Sequence, residues 1–475
     1  MITICAMSDL HGRADRFQAY AKEMKQLRPD LILDNGDFWQ GSLSSFYYDF
    51  VAGELNPMFE LANEIGVDAL IFGNHEFNEP IESMKRRQAQ CQFPWISCNL
   101  GDFAQPYIIK KVKGKRVGVI GATTQMTPKW DEQDFTKGIV FEAAAPAVER
   151  YVKHLREVEQ VDYVIVCYHG GFSESIGDMW SFTASAVENE ANAILSIEGI
   201  DVLITGHQHL QLCTKVGETV VVQPGANGEC YAKITLDETT SAELVPLQSE
   251  IFYEEKVEAW LQTKIGEAVD DFHFNGLLAS RMANHPFVDL IHEAQFSYAK
   301  TDISIVDLLY YEEGGFKGDI TNCDLLKVLS RPNVLQKVWL TGREIKLFLE
   351  QVAATFEVNE SGNIDFSYNV LSEGNAPYLY FYVGGIDYTI VVDRPVGERV
   401  VACTFKGVPI ENELLYSVCL NSYLATGADF PVFRNKEKIT ISEEMIPLLV
   451  LRYIQEHSPF IHRSVSYFEV MKSSE

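Results

Sequence analysis

With 475 residues, 47% of them hydrophobic and 12% aromatic, the chain can fill two or three packed domains. Its formal charge of −28 argues against a protein that tracks long nucleic acid, because such binding draws on clustered Lys and Arg to displace counterions. No run comes near the about eighteen uninterrupted apolar residues of a membrane span, and the opening "MITICAMSDLHGR" lacks the basic leader and apolar stretch of a secretory signal, so a cytoplasmic protein without a membrane partner is expected.

In chain order, short apolar runs from Ile2 to Met7, Leu31 to Leu33, Ala69 to Phe72, Val117 to Ile120, Tyr163 to Tyr168 and Val202 to Thr205 read as buried strands. Amphipathic stretches such as Ala14 to Leu27 and Ala143 to Glu159 lie between them. This is an α/β pattern in which helices cover a buried sheet, and it predicts a first domain over 1–246. Residues 247–280, with "EEKVEAWLQTKIGEAVDDF", read as an amphipathic linker helix. From 281 to 475 helical stretches ("HPFVDLIHEAQFSYA", "TGREIKLFLEQVAATF") mix with alternating strands ("YLYFYVGGIDYTIVV", "LYSVCLNSYLA"), which predicts a second α/β domain. The nine cysteines stand in apolar contexts without a CxxC pair and read as buried reduced thiols.

Nearly every strand of the first half ends in a short polar cluster. "MSDLHG" supplies Asp9 and His11, "LDNGDFWQG" supplies Asp37, "IFGNHEF" supplies Asn74 and His75, "VCYHGG" supplies His169, and "VLITGHQH" supplies His207 and His209. Side chains gathered at the carboxyl edge of a sheet converge on one crevice. Two carboxylates, several imidazoles and an amide oxygen exceed one tetrahedral zinc and suit two divalent ions sharing a bridging carboxylate. Asp37, alone in its loop, is the natural bridge, with Asp9, His11 and His209 on one ion and Asn74, His169 and His207 on the other. Two dications bring about +4 against two anionic ligands, leaving about +2 to attract an anion and favour phosphate-ester hydrolysis. The donor set is compatible with Mn, Zn, Co or Fe. Asp34 and Glu76 read as supports, making local or backbone hydrogen bonds.

"SDLHG", "NGDFWQGS", "GNHEF", "YHGG" and "GHQH", in this order, resemble the calcineurin-like binuclear metallophosphoesterases. Together with a second domain they are similar to the 5′-nucleotidase and 2′,3′-cyclic-nucleotide 2′-phosphodiesterase superfamily. The resemblance implies an N-terminal metallophosphoesterase β-sandwich flanked by helices, a linker helix, and a C-terminal 5′-nucleotidase-type domain that binds the nucleoside. It implies that Asn74 is a ligand, whereas His75 stands beside the metals as a charge stabiliser or proton donor. In many 5′-nucleotidases the position of Asn78 is an Asp paired with this histidine; an amide here contributes no charge, and related cyclic-nucleotide phosphodiesterases tend to carry Asn.

In the second domain "LNSYLATGADFPVF" resembles the family's nucleoside-binding segment, which implies that Tyr423 stacks on the base and Asp429 hydrogen-bonds the nucleoside. A flat ring suits any base, with stacking worth about 1 to 3 kcal/mol. A second aromatic is expected from "YLYFYVGGIDY", where alternation puts Tyr380 and Tyr382 on one face; Tyr380 is the candidate. The family's arginine-bearing "GGIR"-like stretch has no equivalent in "VDLLYYEEGGFKGDIT", which leaves Lys317 and, further on, Arg331 as cationic candidates. The expected function is hydrolysis of a nucleoside phosphate ester, either a 5′-nucleotide or a 2′,3′-cyclic or 3′-nucleotide, with two divalent ions. Alternatives are a nucleotide-sugar hydrolase, a nucleotide sensor without turnover, and a nuclease disfavoured by the acidic charge.

Overall fold

The computed structural model describes residues 1–130, 135–176, 184–247, 254–274, 276–307, 314–367, 380–462 and 467–473. The chain divides into two compact units, Met1–Glu254 and Glu255–Glu475.

The first unit is a mixed α/β sandwich. One six-stranded sheet runs in the order Ser241–Pro246, Cys230–Leu236, Ile2–Met7, Leu31–Asp34, Ala69–Ile71, Trp95–Ile96, and the other runs Tyr107–Val112, Lys115–Thr123, Tyr163–His169, Val202–Thr205, Thr219–Pro224, Gln211–Val216. The central strands of both are parallel. Pleating sorts the side chains. Ile2, Ile4 and Ala6 enter the core between the sheets with Val117, Ile165 and Ile204, while Cys5 and Met7 turn outward to the layer holding Phe17, Tyr20 and Met24 of helix Ala14–Leu27. On the far face Ala147, Val148 and Leu155 of helix Ala144–Glu157 cover Val164, Val166 and Leu203. The central strands of both sheets are buried on both faces, which is why they read as continuous apolar runs.

The second unit is built on a five-stranded sheet in the order Tyr382–Gly384, Ile303–Val306, Leu415–Asn421, Val334–Thr341, Ile439–Met445, with a four-stranded sheet of Val408–Pro409, Val400–Phe405, Asp387–Val391 and Phe468–Met471. One apolar core joins these strands to helices Pro286–Ala299, Gly342–Ala353 and Ile446–His457. The helix starts are written locally. Pro286 follows His285, whose side chain accepts the Phe287 N–H, and Thr341 with Glu344 forms a reciprocal capping box.

The single helix expected over 247–280 is not what the described residues form. Helix Glu255–Leu261 ends after seven residues, and strand Lys264–Ala268 pairs antiparallel with Gly318–Thr321. The apolar spacing of Val257, Leu261 and Ile265 fits a helix, but Gly266 interrupts it. A Cβ there would lie 2.6 Å from Ile454 Cγ2, so its bare Cα lets the strand pack where helix propensity is already weak. Residues 248–253 lie outside the described set. No helix among the described residues is long and apolar enough to cross a membrane, and all nine cysteines are unpaired.

Candidate metal centre

The donors stand just beyond the carboxyl ends of parallel strands, where the backbone leaves the sheet abruptly. Asp9 and His11 (φ 54° and 50°), Asp37 (φ 54°), and His207 and His209 (φ 69° and 59°) all occupy the left-handed region. A side chain in that conformation costs about 1 to 2 kcal/mol, and such outliers gather at sites where surrounding contacts enforce them. Here the enforcement is visible. Asp9 N–H donates to Gly36 O at 2.9 Å and His11 N–H to Asp37 O at 2.9 Å, while His207 N–H donates to Asp9 Oδ1 and Oδ2 at 3.0 and 3.1 Å.

Three groups of donors result: Asp9, His11 and His209; His11, Asp37 and His75; and Asp37, His169 and His207. His11 Nε2 lies 3.0 Å from His209 Nε2, and His209 Nε2 lies 3.6 Å from Asp9 Oδ1. His207 Nδ1 faces Asn74 Oδ1 at 2.9 Å, which brings the amide into the third group. Asp37 belongs to the second and third groups and His11 to the first and second, so Asp37 is linked to Asp9 and His209 through His11.

Buried partners aim these ligands. His169 Nδ1 donates to Asn35 O at 2.7 Å and His11 Nδ1 to Gln40 O at 3.2 Å, so in each neutral ring the Nε2 lone pair points inward, the orientation by which metal-binding imidazoles are fixed. Glu76, 1% exposed, accepts the N–H groups of Gly73, Asp37 and Phe38 at 2.6, 2.9 and 2.9 Å, and Asp34 accepts from Gly36 at 3.0 Å. Gly73 has no room for a side chain: a Cβ would sit 2.2 Å from Asp37 Oδ1.

The electrostatics call for a positive charge at this point. Burial raises the Asp37 carboxyl, but the imidazoles of His169 and His75 outweigh it and hold the group well below the usual carboxylate range. Burial works to strip the proton from His169, yet Asp37 and Asp9 carry its pKa up to about 10. His169 Nε2, fully buried, lies 3.1 Å from Asp37 Oδ2 and 3.9 Å from Asp9 Oδ1 without the alignment of a hydrogen bond. A buried imidazole nitrogen between carboxylates that draw positive charge to it fits a divalent cation taking the place of its proton.

His75 stands at the rim, 33% exposed, with Nε2 at 4.0 Å from Asp37 Oδ2 and its ring edge-on to His11. Its N–H donates to Asp37 Oδ1 at 2.8 Å. The Asn78 amide nitrogen lies 2.7 Å from His75 Nδ1. An amide N–H can only donate, so in this arrangement Nδ1 accepts and Nε2 carries the proton. Two residues that motif reading missed reach the same place. Glu188 Oε1 lies 3.0 Å from His207 Nε2, and Trp130 stacks on the His207 ring with centroids 5.4 Å apart. Neither stands in a strand-end cluster, so position along the chain gave no signal.

In the second unit Tyr423 and Asp429 are brought together, with the phenol donating to Asp429 Oδ2 at 2.8 Å. Tyr380 is corrected. Its ring is 0% exposed, its hydroxyl donates to Arg281 O at 2.6 Å, and the Arg281 guanidinium lies 5.1 Å from the ring centroid. It is a core residue, because both faces of that aromatic run are covered: Phe381 packs on Phe348 and Phe430. Lys317 is exposed and Arg331 lines a small cavity with Asp307 and Asn421, while residues 308–313 of the same loop lie outside the described set.

Residues 2–211 match the calcineurin-like phosphoesterase family, and residues 264–435 match the 5′-nucleotidase C-terminal domain. A 2′,3′-cyclic-nucleotide 2′-phosphodiesterase/3′-nucleotidase of Yersinia enterocolitica is 22% identical, over 86% of this chain and 75% of its own. A 5′-nucleotidase of Vibrio cholerae is 24% identical over 81% of each. Among solved structures, a candidate 5′-nucleotidase of Staphylococcus aureus in complex with α-ketoglutarate superposes with a TM-score of 0.88 at 26% identity, covering 99% of this chain and 100% of that one.

Proposed function

Because the chain belongs to the calcineurin-like phosphoesterases that carry a 5′-nucleotidase C-terminal domain, we propose that it is a metal-dependent nucleotide phosphoesterase working through two divalent ions. The observation that supports this reading is the chain of shared donors, with His11 common to the first two groups and Asp37 to the last two. Asp9, His11 and His209 would hold one ion, and Asn74, His169 and His207 the other, with Asp37 between them. When bound, such a pair lowers the pKa of a shared water and clamps a phosphoryl group for in-line attack. The chain's own residues supply the rest. Glu76 and Gly73 fix the Asp37 loop, and His75, with its Nε2–H directed by Asn78, donates to a phosphoryl oxygen or to the leaving oxygen. Tyr423 offers a face for a base and Asp429 an acceptor for the nucleoside.

The substrate is a nucleoside phosphate ester, and the relatives named for 5′-nucleotides and for 2′,3′-cyclic nucleotides support that class as a whole. Asn78 in place of a carboxylate favours the cyclic or 3′ ester. Mn, Zn, Co and Fe all suit the donors, and nine unpaired thiols support a reducing, cytoplasmic setting. The test is a hydrolysis panel of AMP, 3′-AMP, 2′,3′-cyclic AMP, a nucleotide sugar and an aryl phosphate, each with several divalent ions after chelator treatment. Turnover of nucleotides in preference to the aryl phosphate, restored by metal, is expected. Equal rates before and after chelation would reject the metal mechanism.

A further inference from the structure

Among the described residues, the Glu188 carboxylate reaches a candidate ligand from a segment outside the strand-end clusters, and the way that segment is held shows what it does. His207 is engaged on every side. Its N–H donates to Asp9, its Nδ1 faces Asn74 Oδ1 at 2.9 Å, its face stacks on Trp130, and its Nε2 lies 3.0 Å from Glu188 Oε1. An ionised carboxylate can only accept, so Nε2 donates to Glu188, which turns Nδ1 toward Asn74 Oδ1 and the shared Asp37 group.

The position of Glu188 is fixed by its backbone. Glu188 O accepts from Thr124 Oγ1 at 2.8 Å and from the Tyr168 hydroxyl at 3.0 Å, and the same hydroxyl accepts the Glu190 N–H at 3.1 Å. Tyr168 is fully buried at the end of strand Tyr163–His169, beside His169. The following residues are also tied down: Asn189 Oδ1 accepts the Gly171 N–H at 3.1 Å, and Glu190 accepts the N–H groups of Ala144 and Ala145 at 2.9 and 3.0 Å. The strand that presents one imidazole of the third donor group thus also anchors the segment that steadies another.

We propose that Glu188 is the positioning residue of His207, accepting its Nε2–H so that Nδ1 is committed to the second cation. The inference rests on the two-ion reading above and deepens it. Its test is calorimetric titration of chelator-stripped protein with Mn or Zn, for the native chain, Glu188→Ala and Glu188→Gln, together with long-range proton–nitrogen correlation of the His207 ring in the metal-free protein. Glu188→Ala should weaken one of two binding events about 10- to 100-fold and leave the other unchanged. Glu188→Gln, whose amide oxygen can accept the same proton, should recover most of the loss. The native ring should show a protonated Nε2, and Glu188→Ala should lose part of that signal. Two intact binding events of equal affinity in all three proteins, or a native ring with no proton on Nε2, would overturn the role of Glu188. Fewer than two binding events in the native chain would instead overturn the two-ion reading, while the ring tautomer still decides whether Glu188 orients His207.

Discussion

After strand Val202–Thr205 the backbone enters the left-handed region twice, at His207 and His209, and both residues meet the buried Asp9 carboxylate, His207 through its backbone N–H and His209 through its ring. After strand Leu415–Asn421 it passes instead into a short helix, Ser422–Thr426, where the Asn421 side chain accepts the Leu424 N–H at 2.6 Å. Tyr423 and Asp429 then hydrogen-bond each other, the ring half-buried and the carboxylate exposed. The first region holds its groups by left-handed backbone and by contacts to the buried Asp9 carboxylate, so each is fixed before a ligand arrives. The second carries its groups on relaxed backbone near solvent, where a change stays local. Groups that do chemistry and groups that recognise a substrate are therefore expected to fail differently when altered.

The largest break should come from Asp37→Ala. Removing the side chain common to two donor groups should lower kcat about 10³-fold or more, the several kcal/mol that metal clamping supplies, and reduce bound metal by elemental analysis. Retention of both metal and rate would dissolve the contrast between the regions. Gly73→Ala should come next. Its Cβ would meet Asp37 Oδ1 at 2.2 Å, and displacing the carboxylate by even an ångström is expected to cost about 10²-fold in kcat, with circular dichroism unchanged. Tyr423→Ala should act on the other side of the comparison. Losing a stacking face worth about 1 to 3 kcal/mol should raise KM for a nucleotide about tenfold and leave an aryl phosphate untouched; a fall in kcat for both substrates would place the ring in the chemistry instead. Tyr380→Phe should be smallest, costing about 1 to 3 kcal/mol of stability for the orphaned Arg281 carbonyl, read by denaturant unfolding, with KM unaltered.

The buried strands and the donors at their ends were legible because each parallel strand is a short apolar run closed by a polar cluster, and a run buried on both faces has few alternative readings. Helix Ala14–Leu27 spans the same residues in sequence and structure for a related reason: its buried Phe17, Tyr20, Ala21 and Met24 follow the helical period. Periodicity failed where two structures share it. Val257, Leu261 and Ile265 satisfy a helix, but a strand takes over at Lys264 because Gly266 can approach Ile454. Alternation likewise identifies which rings of "YFYV" share a face but not whether that face meets solvent, and Tyr380 proved to be core. Glu188 lay beyond local pattern altogether, since its link to His207 spans nineteen residues and depends on a tyrosine hydroxyl at the end of a different strand.

The left-handed turns at Asp9, His11, Asp37, His207 and His209 carry a consequence for anyone improving this protein by selection. Glycine adopts that conformation without penalty, so replacing one of these ligands by glycine relaxes a loop while removing a charge or an imidazole from the cluster. His209→Gly, at the most exposed of the five, would melt at a higher temperature and turn over less substrate. A screen that rewards heat resistance alone would collect such variants and discard the enzyme.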